Sequence, residues 1–147
     1  MKSDSDSFFV DANVLVYAAL KDDSRHEAAK ALLKDSSRGT LYLSSQILTE
    51  FYSTITSSKR VTVPYAPMDA VEFMETLLGY EHIRVLPISM EVSGRLIALL
   101  KSNAVKGPLV FDLQIVATML AHGVTRLFTY NVHDFNRFAG LEVVEPN

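Results

Sequence analysis

The chain has 147 residues, 48% of them hydrophobic, with no cysteine and a formal net charge of -3. That length fits about one domain built on a single packed core, and the missing cysteines exclude a disulfide framework, a cysteine nucleophile and thiolate-held zinc. The charge speaks against a protein that grips nucleic acid through a broad basic surface: Lys21, Arg25, Lys30, Lys34 and Arg38 fall around one helical segment, Lys59-Arg60 end another, and Lys101 and Lys106 flank a loop.

The stretch Met1-Lys2-Ser3-Asp4-Ser5-Asp6-Ser7 lacks the apolar h-region of a signal peptide, and no apolar run approaches membrane-spanning length. A cytoplasmic protein with no membrane contact is the expectation. Phe8-Phe9-Val10 predicts a short buried strand, followed by helices over 13–20 and 24–34, the second capped by Asp23 or Ser24. Leu41-Tyr42-Leu43 is the next strand. Ser44 or Ser45 caps a helix to about Thr56, on which Ile47, Leu48, Phe51, Tyr52 and Ile55 form an apolar stripe with Glu50 at its margin.

Residues 61–67 carry two prolines and predict a loop before a helix over 68–78 that Gly79 ends. A strand over 83–86 and a helix from Ser89 to about Asn103 follow. Lys106-Gly107-Pro108 breaks the chain before a helix over 111–122 closed by Gly123, and strands over 126–129 and 141–144 complete it. Strands alternating with helices predict right-handed crossovers and an α/β fold, its mostly parallel sheet of about five strands covered on both faces. No internal repeat or linker divides the chain, so residues 1–147 are expected to form one domain.

The acidic residues fall at telling places in that scheme. Asp11 directly follows the first strand, Glu50 sits mid-helix, Asp112 stands where a helix begins, and Asn131 and Asp134 follow the apolar run Leu127-Phe128-Thr129. Each has an ordinary reading: Asp11 and Asp112 as helix caps, Glu50 as a surface position, Asn131 and Asp134 as turn residues. Together they converge at the carboxyl edge of the sheet, where open α/β folds place their ligands. Carboxylates gathered there repel one another unless a cation sits among them, which points to an oxygen-ligated divalent metal such as Mg2+ or Mn2+.

The blocks FFVDANVLVYA, LSSQILTEFYS and FDLQIVATMLAHGVTRLFTYNVHDFNRFAGLEVVEP resemble PIN-domain ribonucleases, especially the VapC-type toxins of toxin–antitoxin pairs, over nearly the whole chain. The resemblance implies a three-layer α/β/α domain and a metal-dependent endoribonuclease. It matches the family's three acids to Asp11, Glu50 and Asp112, its fourth position to Asn131, its small polar residue to Asn13, the preceding Thr to Thr129 and its downstream acid to Asp134. The acids would hold Mg2+ or Mn2+ and activate a water against an RNA phosphodiester. The implied partners are an RNA substrate, a small antitoxin protein and a second copy of the chain, whose dimer contact is sought in residues 61–78.

Asn131 departs from the family pattern, which usually has an acid there, and leaves the number of bound ions open. The rival from another class is therefore a PIN-fold binding or regulatory module with weak or no nuclease activity. A HAD-type phosphatase needs a second Asp where this chain has Asn13, and a receiver domain needs a phosphoacceptor Asp where it has Leu86-Pro87-Ile88. His26, His82 and His122 read as surface or helix-end residues, and His133 lies in the same loop as Asn131.

Overall fold

Phe9 and Val10 are wholly buried, which a strand achieves only with neighbours on both edges and cover on both faces. In the computed structural model, which describes residues 7–147, that strand is β1 (Ser7–Val10) at the centre of a five-stranded sheet. The reading of residues 1–6 as free of a leader lies outside the described residues. β2 (Thr40–Ser44), β3 (Ile83–Leu86), β4 (Arg126–Phe128) and β5 (Glu142–Val144) complete the sheet in the order β3-β2-β1-β4-β5, with every pairing parallel.

The connections build outwards from β1 through β2 to β3, then cross back to β4 on the other side. β1 and β4 are therefore the neighbours whose following chains depart in opposite directions. Their carboxyl ends open the crevice in which such sheets take ligands.

The helices form two packed groups, as a sheet covered on both faces requires. α1 (Ala12–Ala19) packs on α2 (His26–Lys34) and α3 (Ser45–Ile55), and α3 on α4 (Pro67–Leu78). α5 (Met90–Ser102) packs on α6 (Val110–Ala121). Phe8 stacks on Phe128 across β1 and β4 with ring centroids 4.4 Å apart, and Phe51 on Phe73 joins α3 to α4 at 4.9 Å. Among the described residues no helix is long and apolar enough to cross a membrane.

Several boundaries move from the predicted positions for local reasons. α2 starts at His26 with Arg25 at its cap, because the Asp23 carboxylate accepts the Arg25 backbone N–H at 2.8 Å and holds a turn ahead of the helix. Ser44 occupies the cap of α3, but its buried hydroxyl has no hydrogen-bond partner there. Gly107-Pro108 forms a short 3-10 turn that lets α6 start at Val110, so Asp112 lies inside the first turn and is not its cap. Gly123 closes α6 at φ +69°, a conformation that favours glycine. Gly79 ends α4 at φ -75°, so its stop needs no left-handed residue.

One α-helix escapes the sequence. α7 (Val132–Phe135) occupies what reads as a turn after β4, anchored by the fully buried Phe135. His26 starts α2 and His122 caps the end of α6, as read, but His26 is buried, with Nδ1 3.0 Å from the Tyr17 carbonyl oxygen, and His82 Nε2 lies 2.8 Å from that of Leu33.

Because Phe51 is fully buried and stacked on Phe73, it ties the helix bearing Glu50 to the core. Phe51→Ala should lower the unfolding free energy by about 3–5 kcal/mol, read as a fall in urea midpoint at unchanged slope.

Candidate active site

Asp11 ends β1 and begins α1. Its backbone N–H donates to the Phe128 carbonyl at 3.0 Å, extending the β1–β4 pairing by one rung. Its two side-chain oxygens then divide their work. Oδ1 caps α1 by accepting the Ala12 N–H at 2.7 Å, while Oδ2 accepts the Thr129 hydroxyl at 2.8 Å and the Asn13 amide at 3.4 Å. Capping and site membership thus coexist in one side chain. A carboxylate offers about four acceptor directions, so these contacts leave room for a further ligand.

Thr129, wholly buried just past β4, is saturated. Its hydroxyl donates to Asp11 and accepts from the Asn13 amide at 3.2 Å and the Asn131 backbone N–H at 3.0 Å. Asn13 Oδ1 in turn accepts the Tyr130 N–H at 3.2 Å. Asn13 and Thr129 therefore lace the ends of β1 and β4 together and fix the Asp11 carboxylate. Asn131 itself is exposed, at the mouth of the crevice.

Glu50 reaches the same place from α3 and Asp112 from α6. Asp11, Asn13, Glu50, Asp112 and Asn131 all line one open crevice of about 500 Å³. Gln46, one turn before Glu50, bridges the two helices: its amide donates to the Phe111 carbonyl at 2.9 Å and to Glu50 Oε2 at 3.4 Å. The sequence reading passed over Gln46, although its i, i+4 spacing from Glu50 was a usable signal. Asp134 and His133 lie off the crevice, in an adjoining pocket that shares Asp112 and includes Arg137.

The electrostatics are those of crowded acids. Burial pushes the Glu50 carboxyl up to about 7, helped by the charges of Asp11 and Asp112. Asp112 rises to about 6 through burial, then through Asp11 and Asp134, with Arg137 pulling it back. Asp11 is raised by burial against the lowering effect of its hydrogen bonds, with a further push from Asp134. Asp134 thus acts on Asp11 and Asp112 only through its charge, from the adjoining pocket. Among the described residues no group of three or more Asp, Glu or His side chains stands ready to hold a metal ion directly. The donors present are all oxygen, which suits a hard ion that keeps much of its water and takes only one or two carboxylates.

The model of the PIN-domain family matches residues 8–141. The chain belongs to the PIN-domain family. Among curated proteins it is similar to ribonuclease VapC48 of Mycobacterium tuberculosis, 29% identical over 145 residues that cover 92% of this chain and 94% of that protein. It is also similar to ribonuclease VapC24 of the same organism, at 26% over 138 residues covering 93% and 94%. Among solved structures, VapBC2 from Rickettsia felis, bound to a DNA fragment from its promoter, superposes with a TM-score of 0.67 at 21% identity, covering 96% of this chain and 99% of that one. VapC20 of Mycobacterium tuberculosis, a sarcin-ricin loop cleaving toxin, gives a TM-score of 0.67 at 16% identity and 92% and 98% coverage. At such identities the structures establish the shared fold of a PIN domain, and the site rests on this chain's own geometry.

Two predictions follow from the hydrogen bonds and the charges. Thr129→Val removes one donor and two acceptor contacts, stranding the Asn131 N–H, and should cost about 1–3 kcal/mol in chemical denaturation, whereas Thr129→Ser should keep most of that stability. Glu50 titrates near 7 in the folded chain against an ordinary 4.5, so between those values the native state holds more protons than the unfolded one. Stability in chelator should therefore fall as pH rises from about 5 to about 8, and Glu50→Gln should flatten that fall in thermal melts.

Proposed function

We propose that this PIN domain is a Mg2+- or Mn2+-dependent endoribonuclease, the toxin of a type II toxin–antitoxin pair, that hydrolyses RNA phosphodiester bonds at Asp11, Glu50, Asp112 and Asn131. The observation that carries the reading is the convergence of three carboxylates on one crevice at the β1–β4 switch point, all three raised by burial and by neighbouring acids. Such a cluster is costly unless a cation joins it. The curated relatives named ribonuclease support the activity, and the VapBC structures support a small antitoxin as partner.

Asp11 and Asp112 are the proposed direct metal ligands, with Glu50 nearby or bound through water. A divalent ion held there would lower the pKa of a bound water and offset charge developing on the phosphate. The protein's part is positioning. Thr129 and Asn13 hold Asp11 in one orientation, Gln46 holds α3 against the start of α6, and Asn131 offers a neutral amide at the mouth where the resemblance leads one to expect an acid. Asp134 adds charge behind Asp112. The proton that Glu50 holds near neutrality, and that Asp112 holds below about pH 6, must leave when a cation enters, so metal binding is coupled to pH.

A second copy of the chain is the further proposed partner. The expected contact in residues 61–78 contributes Val63, Met68 and Leu78 as exposed apolar side chains, but Val85, Ile88, Met90, Ile97, Leu109 and Phe111 extend the exposed apolar surface well beyond it.

Purified protein should cut single-stranded RNA in Mg2+ or Mn2+ and stop when the ion is chelated. Calorimetric metal affinity should rise between about pH 6 and pH 8 as the retained protons are released. Asp112→Asn should abolish cutting while leaving the chelated protein as stable as before or more so, because it removes a repelled charge. Cleavage that persists in chelator would overturn the metal mechanism, and metal binding without any cleavage would leave a PIN-fold binding module.

A further inference from the structure

The crevice has a feature that the acids do not explain. Arg25, from the turn before α2, and Tyr17, from α1, line it together with Asp11, Glu50 and Asp112. The Arg25 guanidinium carbon lies 3.6 Å from the centroid of the Tyr17 ring, which places the cation over that face. Asp23 grips its edge with two bonds, Nε to Oδ1 at 2.8 Å and Nη2 to Oδ2 at 2.9 Å. Tyr130 packs edge-on against Tyr17 at 5.1 Å and lies 5.9 Å from the guanidinium carbon. The Arg25 guanidinium is thus held by an aromatic ring on one side and by a two-bond carboxylate grip along its edge. Even so, 44% of the side chain stays exposed.

That construction is ill suited to gripping phosphate. Two of the guanidinium's donors are already spent on Asp23, and a flexible, unpaired cation would serve a phosphate better. Arg60, exposed on the same crevice and joined to no carboxylate by any ion pair found among the described residues, is placed for that. A guanidinium held in place over a ring with surface left open is instead a stacking platform, the use that single-stranded RNA binders make of arginine planes and aromatic rings.

We propose that Arg25, backed by Tyr17 and Tyr130 and clamped by Asp23, is a ledge on which one unpaired RNA base stacks while the adjoining phosphate lies at Asp11 and Asp112. The ledge selects single-stranded or looped RNA, because a base must leave its helix to reach it. This inference rests on the ribonuclease reading and adds to it the residue that seats the substrate.

The test uses the full chain carrying Glu50→Gln in Mg2+, which blocks cutting and keeps both proposed direct metal ligands, and measures affinity for a single-stranded RNA by fluorescence anisotropy. It compares Arg25 with Arg25→Lys, which keeps the charge and loses the plane, and scans the RNA with one abasic nucleotide at each position. Arg25→Lys should weaken binding about tenfold. One abasic position should weaken the parent to a similar degree and cost the Arg25→Lys protein nothing more. In the cleaving protein the same substitution should raise KM, and thermal melts should show both proteins folded. Equal affinity of the two proteins, or abasic and Arg25→Lys losses that multiply at every position, would overturn the ledge while leaving the ribonuclease intact. If the wild-type chain neither binds nor cuts any RNA, the ribonuclease reading falls and the ledge with it.

Discussion

The arrangement depends on one buried carboxylate. Asp11 stands at the point where the central strand must stop, its neighbour's chain departs the other way, and a helix must start. Its backbone continues the β1–β4 ladder, one oxygen starts α1, and the other is tied through Thr129 to the end of β4. A neutral side chain in that place would lose the cap or the cross-strand bond. A longer acid would carry its oxygens away from the Ala12 N–H. The site is therefore anchored by the same bonds that join the two central strands, and movement there is resisted by the core beneath, where Phe9, Val10 and Leu127 are fully buried.

The other acids are brought in against their own repulsion, and the apolar fold supplies the force. Glu50 is carried by a helix whose adjoining face buries Ile47, Phe51 and Ile55, and Asp112 by one that buries Leu113, Ile115 and Val116. Asp112 also gains from the positive end of α6, since it lies within the first turn. This compensates part of what Asp11 and Asp134 cost it. The raised titration of Glu50 and Asp112 marks the part left uncompensated, which is the condition under which a cation binds with most effect.

The fold was legible because it is written in local signals. β1 is an apolar run buried on both faces, α3 shows its stripe at helical spacing, and α6 lies between a Gly-Pro break and a glycine that turns left-handed. Asp11, Glu50 and Asp112 were legible for the same reason, each being tied to the end or face of an element that the sequence declares. What escaped depends on how elements pack. α7 has only four residues, too few for any period to show, and exists because Phe135 is buried under β5's neighbourhood. His26 reads as a polar helix start, but the packing of α2 on α1 carries it inside to the Tyr17 carbonyl. Arg25 was one of several dispersed cations until the turn after α1 laid it on Tyr17.

The distribution of charge then resolves the tension between a chain of net charge -3 and the proposed polyanionic substrate. The crevice is acidic at its floor, with Asp11, Glu50 and Asp112, and carries Arg25 and Arg60 on its walls. An RNA strand approaching without metal meets wall cations, one of them already half-neutralised by Asp23, and a floor that repels its phosphate. A divalent ion held there as proposed would reverse the sign of the floor alone. Binding of ion and polymer should therefore be mutually reinforcing, and by linkage each raises the affinity of the other by the same factor. A broadly basic surface would lack that dependence, since it would hold RNA whether or not the ion was present.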